Sequence, residues 1–345
     1  MPRPVANPPN PWLSEHREWI GEPPPARLEV YEERAKTILS ENESGDVGFR
    51  WSANPYRGCF HGCSYCYARP THQYLGFGAG TDFERRIVVK VNAPELLRQA
   101  FARRSWRGEL VALSGNTDCY QPLEASYRLT RGLLEACRDF RNPVGIITKS
   151  VLIRRDLDVL AELARPGLVR VSLSIPFLDD EMARVIEPYA PAPSDRFAAL
   201  LALSGAGVPA GVGVAPIIPG LNESQVAGIL RRAKECGATH AFRAPLRLPG
   251  EVKDVFLGRL REACPDRYDK VVRAIRELRG GRLNEPRPGA RGEGLGARWA
   301  AIEALFDLEC RRLGLDRDTE VRRVAASVPR PRDDSAHPRG QLPLF

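Results

Sequence analysis

Short apolar segments alternate with longer amphipathic segments over most of the chain. From residue 110 onward the apolar segments have the length of buried strands, and the segments between them carry apolar residues at helical spacing. The predicted strands lie at 111–115, 144–148, 168–175, 208–218 and 239–246. The predicted helices lie at 123–140, 155–164, 179–187, 194–205, 223–237, 251–263, 266–278 and 297–313. This alternation predicts repeated βα units around a mostly parallel sheet.

The number of βα units limits the architecture. An extended segment at 48–54 brings the count to about six, and IVVKV at 87–91 could add an accessory strand. Because a closed barrel of this type needs eight units, we predict an α/β fold built on an open, partial (β/α)6 barrel. In such folds ligands bind at the carboxyl ends of the strands.

Regions outside the repeated units suggest four parts of the chain. Residues 1–45 form an N-terminal extension, in which the charged stretch LEVYEERAKTIL predicts one short helix. Residues 46–265 form the barrel core. Residues 266–325 hold C-terminal helices and an Arg/Gly-rich segment at 279–299, which is either a loop over the site or a flexible linker. Residues 326–345 form a polar, Pro-rich tail.

Composition and charge exclude some classes of protein. The chain has 345 residues, of which 43% are hydrophobic and 27% charged, and this excludes wholesale disorder. No apolar run is long enough to span a membrane, and the Pro-rich start lacks the apolar stretch of a secretory signal. We therefore expect a cytoplasmic protein. The formal net charge of +8 favours acidic partners such as nucleic acid, although charge spread over a large surface is weak evidence.

Three of the eight cysteines are clustered in NPYRGCFHGCSYCYARP. Cys59, Cys63 and Cys66 follow one another at spacings of four and three residues. Structural zinc needs four ligands, and a fourth would have to be His61 or a distant cysteine such as Cys119. A [4Fe–4S] cube held by three thiolates keeps one iron open for a ligand that binds and leaves, which suggests catalysis. From spacing alone, a zinc site or three unrelated buried thiols remain alternatives.

The cysteine segment resembles the signature of the radical S-adenosylmethionine (SAM) superfamily. CxxxCxxC, with the aromatic Tyr65 before the last cysteine, follows the first predicted strand, as in that superfamily's partial (β/α)6 barrels. NPYRGCxHGCxYCYARPTHxYLG also resembles the spore-photoproduct-lyase-like "DNA repair photolyase" group of bacterial radical SAM proteins. The resemblance implies a radical SAM barrel with an N-terminal extension and a helical, flexible C-terminal tail.

The resemblance also implies cofactors and a reaction type. Cys59, Cys63 and Cys66 would ligate a [4Fe–4S] cluster, and SAM would chelate the fourth iron. One electron from an external reductant would then cleave the sulfonium C–S bond, giving methionine and a 5′-deoxyadenosyl radical that abstracts hydrogen from the substrate. In such enzymes the protein supplies orientation, electrostatics and exclusion of side reactions.

Residues at the predicted strand ends are candidates for binding SAM. Tyr65 resembles the aromatic residue beside the adenine, and Lys149 would offer a cation to the SAM carboxylate or to a phosphate. Ser174 resembles the fourth-strand contact to the ribose, and Ile217 the fifth-strand apolar contact to adenine. Asn116 and Asp118 offer polar groups at the end of the second strand.

The hydrogen-donor position departs from the spore photoproduct lyases. Those enzymes carry a cysteine at the second strand end, with tyrosines near the cluster assisting. Here the tyrosine pair is present as Tyr65 and Tyr67, but Gly115 takes the place of the cysteine. Cys119 is a candidate donor displaced by four residues, and its alternative is a small buried thiol. Reversal of a thymine dimer by that mechanism is therefore in doubt.

Two other features have alternative interpretations. His61 could contact the cluster or shuttle a proton, but a solvated loop position is the preferred interpretation for both His61 and His72. The segment 279–299 could place arginines over the barrel mouth as phosphate contacts, and a solvated basic loop is the alternative. The arginines concerned are Arg282, Arg287, Arg291 and Arg298.

The chain ends in QLPLF after the polar tail. This pentapeptide resembles the bacterial sliding-clamp-binding motif, in which Gln341 anchors by hydrogen bonds and Leu342, Leu344 and Phe345 provide apolar contacts. A chance apolar end is the alternative.

The favoured function is a radical SAM enzyme acting on a nucleic-acid lesion or modification. The alternatives are a radical SAM enzyme acting on a peptide or small metabolite, and a non-enzymatic, metal-stabilised DNA- or clamp-binding module. DNA and the sliding clamp are the expected macromolecular partners, and no membrane is expected.

Overall fold

A computed structural model describes residues 8, 11–12, 27–44 and 48–317. The tail at 326–345, including the pentapeptide, lies outside the described residues. Within them no helix is both long enough and apolar enough to cross a membrane.

The strands fall into a large sheet and a small one. Their bounds are β1 Glu29–Glu33, β2 Leu39–Glu41, β3 Trp51–Ala53, β4 Tyr56–Arg57, β5 Arg86–Lys90, β6 Val111–Leu113, β7 Val144–Thr148, β8 Val169–Ser174, β9 Ala210–Ile217, β10 His240–Pro245 and β11 Asp316–Arg317. The large sheet has the order β11-β10-β9-β8-β7-β6-β3-β2. All neighbours in it are parallel except β2 and β3.

Six parallel strands form the predicted partial barrel. They are β3, β6, β7, β8, β9 and β10, and each matches a strand predicted from its apolar run. Because the strands are parallel, their carboxyl ends meet at one edge of the sheet, where a site is expected. The α/β class and the partial barrel are therefore confirmed.

Helices cover the outer face of the barrel. Their bounds are α1 Thr81–Arg85, α2 Ala93–Phe101, α3 Glu124–Tyr127, α4 Leu129–Asp139, α5 Leu157–Ala164, α6 Asp180–Ile186, α7 Pro193–Gly205, α8 Val226–Glu235, α9 Val252–Ala263, α10 Pro265–Leu278 and α11 Gly296–Leu313. Short 3-10 helices lie at Arg69–Leu75, Val151–Asp156 and Glu223–Gln225. The main core forms where apolar helix faces pack on the strands, through residues such as Leu133, Leu160, Leu200, Leu230 and Phe306.

The helix predicted within 28–39 is wrong. The segment instead contains β1, which pairs in parallel with β5, and the start of β2, which pairs antiparallel with β3. The backbone hydrogen bonds of β1 are thus satisfied by a strand 57 residues away along the chain, counting from Glu29 to Arg86. This non-local pairing overrides the local preference of a charged stretch for a helix. The accessory strand predicted at 87–91 is confirmed as β5.

The long helix predicted at 123–140 is broken at Arg128. This residue has a φ of 52°, in the left-handed region, and it separates α3 from α4. Glu124 explains why the break is accommodated, because its carboxylate accepts the backbone N–H of Thr130 at 3.0 Å. A side chain thus caps an N–H at the start of α4.

The Arg/Gly-rich segment packs beside the carboxyl end of β10. Arg279 donates to the carbonyls of Glu293 and Leu246, and the Asn284 side chain accepts from the Leu248 amide at 3.1 Å. Of the two interpretations of this segment, the structure favours a loop next to the barrel mouth.

Candidate functional site

The three clustered cysteines lie in a loop between β4 and the 3-10 helix Arg69–Leu75. We call residues 58–68 the cysteine loop. Gly58 and Gly62 have φ values of 78° and 64°, and a Cβ on either would approach its neighbours within 3.0 Å. At Gly58 that neighbour is the Phe83 carbonyl, and at Gly62 it is the Tyr189 ring. The loop therefore needs glycine at both positions, in conformation and in space.

The cysteine thiols are close together and buried. Cys59 and Cys63 are each 7% exposed, and Cys66 is half-buried. Burial raises the pKa of Cys63 to about 12, and burial followed by the charges of Asp118, Cys66 and Cys63 raises that of Cys59. Forming three thiolates in this space therefore requires a cation that takes the place of the protons.

This donor set fits a [4Fe–4S] cluster. All eight cysteines lie in the described part of the chain and none of them forms a disulfide there. Nowhere in that part do three histidine, cysteine, aspartate or glutamate side chains converge closely enough to hold one metal ion. A cube accepts one thiolate at each of three different irons, so its ligands need not converge on a single point.

The first half of the cysteine loop is held by a glutamine. Gln121 is fully buried, donates from Nε2 to the Gly58 carbonyl at 3.2 Å, and accepts from the Phe60 amide at 3.0 Å. The second half is held by Arg69, which is also fully buried and donates to the carbonyls of Gly62 and Cys63. The conformation of the loop is thus set by side chains outside the cysteines.

A buried polar network gathers three of the predicted SAM-binding residues beside the cysteine loop. Lys149 donates from Nζ to the Ser174 hydroxyl at 2.8 Å, and the same ammonium lies 5.5 Å from the centre of the Tyr65 ring. Ser174 in turn donates to the Ala215 carbonyl at 3.0 Å, across β8 and β9. Tyr65, Lys149 and Ser174 therefore meet where the carboxyl ends of the strands converge.

Glu187 and Arg196 are the anion and cation at the centre of this network. Both are buried, and Arg196 Nη2 donates to Glu187 Oε2 at 2.5 Å. The other carboxylate oxygen accepts from the Tyr65 hydroxyl and lies 3.8 Å from Lys149 Nζ. Burial alone would raise the pKa of Glu187, but Arg196, Lys149 and the Tyr65 hydroxyl together lower it. Glu187 is therefore ionised, and its carboxylate contacts two cations, Arg196 and Lys149, and the hydroxyl of Tyr65.

Asp118 joins the cysteine loop to two strand ends. Its oxygens accept from the Thr148 hydroxyl at 2.6 Å and from the backbone amides of Lys149 at 2.8 Å and Tyr120 at 2.9 Å, and they lie 3.3 Å from His61 Nδ1. Burial would raise the pKa of Asp118, but His61 and these hydrogen bonds lower it to about 2. The carboxylate is thus ionised, and protein donors already occupy the oxygens predicted to bind a cofactor.

The other predicted contacts differ in accessibility. Asn116 lies beside this region, and its backbone N–H donates to Asn54 Oδ1 at 3.1 Å. Ile217 is fully buried in the main core, next to the register shift between β9 and β10. Cys119 is also fully buried in that core, with its amide donating to the Ser114 hydroxyl at 2.9 Å. The placement of Cys119 favours the alternative of a small buried thiol.

Tyr67 lies at the open mouth of the barrel. Its side chain is 50% exposed, and its hydroxyl donates at 2.7 Å to the carbonyl of Gly115. The guanidinium of Arg247, which follows β10, lies 5.7 Å from the centre of the Tyr67 ring. Since β10 lies on the far side of the barrel from the cysteine loop in the strand order, this contact crosses the mouth. We call Tyr67, Gly115 and Arg247 the mouth group.

The solvated positions predicted for both histidines are wrong. His61 is 2% exposed and His72 is 1% exposed. His61 is held against Asp118, whereas His72 is packed against Phe83 and Phe77 with both ring nitrogens lacking a hydrogen-bond partner. Burial lowers the pKa of His72 to about 4. Both histidines were expected at the surface because their segment is rich in turns, but the fold buries both side chains.

The predicted arginine patch is largely neutralised by neighbouring groups. Arg287 pairs with Glu285 at 2.8 Å, and Arg298 pairs with Glu223 at 3.0 Å and with Glu277 at 3.1 Å. Arg291 donates to the Ser44 hydroxyl at 2.5 Å. Arg282 is exposed.

Several residues of the site carried no signal in the sequence. Arg69, Gln121, Glu187 and Arg196 are polar side chains in amphipathic or loop segments, where charge normally means exposure. Only the folded structure shows that they are buried, because the carbonyls and charges that surround them come together in the tertiary fold. Arg69, three residues after the last clustered cysteine in YCYARP, is the one that proximity alone could have suggested.

The sequence of this chain is similar to that of other proteins. The profile of the radical SAM superfamily matches residues 53–233, just over half of the chain. An uncharacterised protein of Mycobacterium tuberculosis is 41% identical over 232 residues, which are 67% of each chain. An uncharacterised protein of Methanocaldococcus jannaschii is 30% identical over 196 residues, covering 57% of this chain and 70% of that one.

A solved structure shares the fold. A spore photoproduct lyase variant with bound AdoMet and dinucleoside spore photoproduct aligns with a TM-score of 0.59 and 18% identity, covering 85% of this chain and 82% of that chain. At this identity the likeness concerns the fold alone.

The family profile decides between an enzyme and a metal-stabilised binding module, because radical SAM proteins use their cysteines to hold a catalytic cluster. The chain belongs to the radical SAM superfamily and is an enzyme that uses a [4Fe–4S] cluster and SAM.

Proposed function

We propose that this enzyme uses Cys59, Cys63 and Cys66 as cluster ligands and acts on a nucleic-acid lesion or modification. The observation that carries the proposal is the convergence of Tyr65, Lys149 and Ser174 beside the cysteine loop. Tyr65 belongs to the cysteine loop, and Lys149 and Ser174 come from two different strand ends, so their meeting is a property of the fold rather than of local sequence.

When bound, the cluster and SAM would together supply the radical chemistry for hydrogen abstraction from the substrate. The chain's own residues bind and orient. Lys149 would hold the SAM carboxylate by a charge-assisted hydrogen bond, and the Ser174 hydroxyl would contact the ribose. Glu187 keeps Lys149 and Tyr65 in place and balances the cation of Arg196. Asp118 acts in this proposal as a positioning residue, since protein donors already occupy its oxygens.

The mouth group supports a nucleic-acid substrate. A half-exposed aromatic ring beside a guanidinium is the combination that proteins use to stack bases and to contact phosphates. Arg279, which is buried, donates to the carbonyl of Leu246, the residue before Arg247, so a second cation lies at this edge of the mouth. The solved structure with a bound dinucleoside photoproduct shares this fold. The chain's net charge of +8 agrees with an acidic substrate.

The path by which a hydrogen atom returns to the product has two candidates. Tyr67 lies at the mouth and is half-exposed, so it is the favoured one. Cys119 would act only if the core opened, because its side chain is fully buried.

The test is anaerobic turnover with labelled substrate. The reconstituted enzyme, a strong reductant, SAM and ultraviolet-irradiated DNA deuterated at thymine are incubated together, and 5′-deoxyadenosine is analysed for deuterium. Transfer of label supports the proposal. Production of unlabelled 5′-deoxyadenosine with every nucleic acid tried, together with transfer from a labelled peptide or metabolite, would replace the substrate class. A colourless protein that cannot cleave SAM would refute the ligand assignment.

Two further parts of the proposal concern the cellular setting. Eight cysteines without a disulfide among the described residues agree with a reducing, cytoplasmic compartment.

The pentapeptide at 341–345 is proposed as a sliding-clamp ligand on the strength of its sequence. Deleting it should remove clamp binding measured by surface plasmon resonance and leave SAM cleavage unchanged. Failure of the intact chain to bind the clamp would end that idea.

A further inference from the structure

Arg69 contacts both the cysteine loop and the segment that encloses it. Its side chain is fully buried. Nε and Nη2 donate to the Cys63 carbonyl at 3.0 and 2.9 Å, and Nη2 also donates to the Gly62 carbonyl at 3.0 Å. These two carbonyls belong to the turn that carries the second clustered thiol.

The opposite edge of the guanidinium binds a second segment. Nη1 donates to the carbonyls of Ala79 and Gly80, each at 3.0 Å. Nη2 pairs with Glu84 Oε1 at 2.5 Å, and Glu84 is 1% exposed. Arg69 thus uses all three nitrogens to hold the loop against the start of α1.

The planar fork of arginine is essential to this arrangement. A lysine keeps the charge but has three donors on one atom, so it cannot reach the two sides of the plane at once. The charge also matters, because the guanidinium lies within hydrogen-bond distance of the Gly62 and Cys63 carbonyls, in the same loop as the three thiols. A cation so placed favours the more negative, reduced state of a nearby cluster.

We propose that Arg69, paired with Glu84, is a positioning residue that builds the cysteine loop before the cluster is inserted and that tunes the cluster's reduction potential. The proposal rests on the assignment of the three cysteines as ligands. It extends that assignment to a residue that touches neither cluster nor SAM through its side chain.

The first test uses protein without a cluster. Hydrogen exchange over 57–69 is compared in the chelator-treated wild type, Arg69→Lys and Arg243→Lys. Arg243 is the matched control, because it makes an equally short ion pair, with Glu303 at 2.5 Å, away from the cysteine loop. We expect faster exchange in Arg69→Lys only, with unchanged exchange in the strands of the barrel. Unchanged exchange in the loop of a folded Arg69→Lys would overturn the proposal.

The second test uses the reconstituted proteins. Changes to residues outside the ligand set typically cost about 10-fold or more in metal affinity, so Arg69→Lys should lose iron to a chelator about 10-fold faster than Arg243→Lys. Equal rates of loss would contradict a role in cluster retention. If the wild type itself takes up no iron, the ligand assignment fails rather than the role of Arg69, because the exchange test does not require iron.

The third test separates electrostatics from general damage. Arg69→Met removes a positive charge and should lower the midpoint potential of the cluster. Glu84→Gln removes a negative charge while keeping a hydrogen-bond acceptor and should raise it. Shifts of the same sign in both variants, or no shift in either, would refute the tuning role, since loosening of the loop alone has no reason to produce opposite signs.

Discussion

Charged side chains differ in burial between two parts of the site. One part is the buried network beside the cysteine loop, which we call the proposed cofactor end, and the other is the mouth of the barrel. At the cofactor end Glu187, Arg196 and Asp118 are buried, and each is paired or hydrogen-bonded within the protein. At the mouth Tyr67 is half-exposed, and Arg247 beside it is half-buried. A buried charge is stable only with fixed partners, so we expect the side chains of the cofactor end to be held in one conformation. A partly exposed cation at the mouth keeps some of its hydration and can exchange water for a ligand.

This contrast separates two kinds of specificity. The cofactors shared by the family favour a prebuilt pocket, and we propose that the buried pairs provide one. The substrate differs among members, and it is the exposed mouth that can change without cost to the core. Substitutions at the two ends should therefore have distinct consequences.

The largest expected effect is at the cysteines. Replacing Cys59, Cys63 or Cys66 by alanine should abolish the brown chromophore, iron retention and 5′-deoxyadenosine production, because a cube cannot lose one of only three protein ligands. Iron analysis and chromatography of the reaction check this result. Cys137→Ala, at a buried thiol packed against the barrel, is the control and should retain all three. Full activity in any of the three variants would contradict the assignment of these cysteines as cluster ligands, and with it the contrast between the two ends.

Breaking the central ion pair should cost stability as well as function. Glu187→Gln leaves Arg196 as an uncompensated buried cation, which typically costs about 3–5 kcal/mol. Urea unfolding of the cluster-free protein measures this loss. The control is Glu235→Gln at the exposed pair with Arg232, where we expect less than about 1 kcal/mol. Equal effects at the two sites would show that the cofactor end is not the rigid part.

The buried His72 should make stability depend on pH. Its pKa is lowered to about 4 in the folded protein, whereas the unfolded value is about 6.5. Protons therefore bind the unfolded chain more tightly, so the stabilisation is complete above about pH 6.5 and is lost as pH falls toward about 4. The difference amounts to roughly 3 kcal/mol.

His72→Phe should flatten the pH dependence in this window. Free energies of unfolding of the wild type and the variant at a series of pH values give the comparison. An equally steep decline in the variant would mean that other groups are responsible.

Lys149→Met should weaken cofactor binding without loss of the cluster. A hydrogen bond to a charged group contributes about 1.5–3 kcal/mol, so the affinity for SAM should fall by about 10- to 100-fold. Isothermal titration of the reconstituted protein with SAM measures the fall, and iron content is the internal control. Unchanged affinity would remove Lys149 from the pocket, and loss of iron would move it into the support of the cysteine loop.

The smallest effect is expected at the mouth. Arg247→Met should leave stability and SAM cleavage nearly unchanged, but it should weaken binding of single-stranded oligonucleotides and reduce the salt dependence by about one phosphate contact. Arg103→Met, an exposed arginine that follows α2 and precedes β6 at the amino ends of the strands, is the matched control. If both variants bind alike, the mouth group does not read the substrate.

The sequence by itself determined the barrel and supplied the proposed ligand set. Apolar runs separated by amphipathic segments are local patterns, so all six barrel strands could be located, and the cysteine spacing needed no tertiary information. The burial of His72, the strand at Glu29–Glu33 and the break at Arg128 could not be predicted in this way. The strand depends on a partner 57 residues away along the chain. The break at Arg128 depends on capping by the Glu124 carboxylate, and the burial of His72 depends on packing against Phe77 and Phe83, and hydrophobic spacing reveals neither contact.

Tertiary structure alone decided how the site is supported. Arg69 and Glu187 have the appearance of surface residues in the sequence. Glu187 is buried because Tyr65 and Lys149, from distant segments, converge on it. Arg69 is buried because the turn at 62–63 and the segment at 79–84 fold around its guanidinium. A charged side chain is stable in the interior only where its partners converge, and convergence of segments far apart in the chain is a property of the folded state.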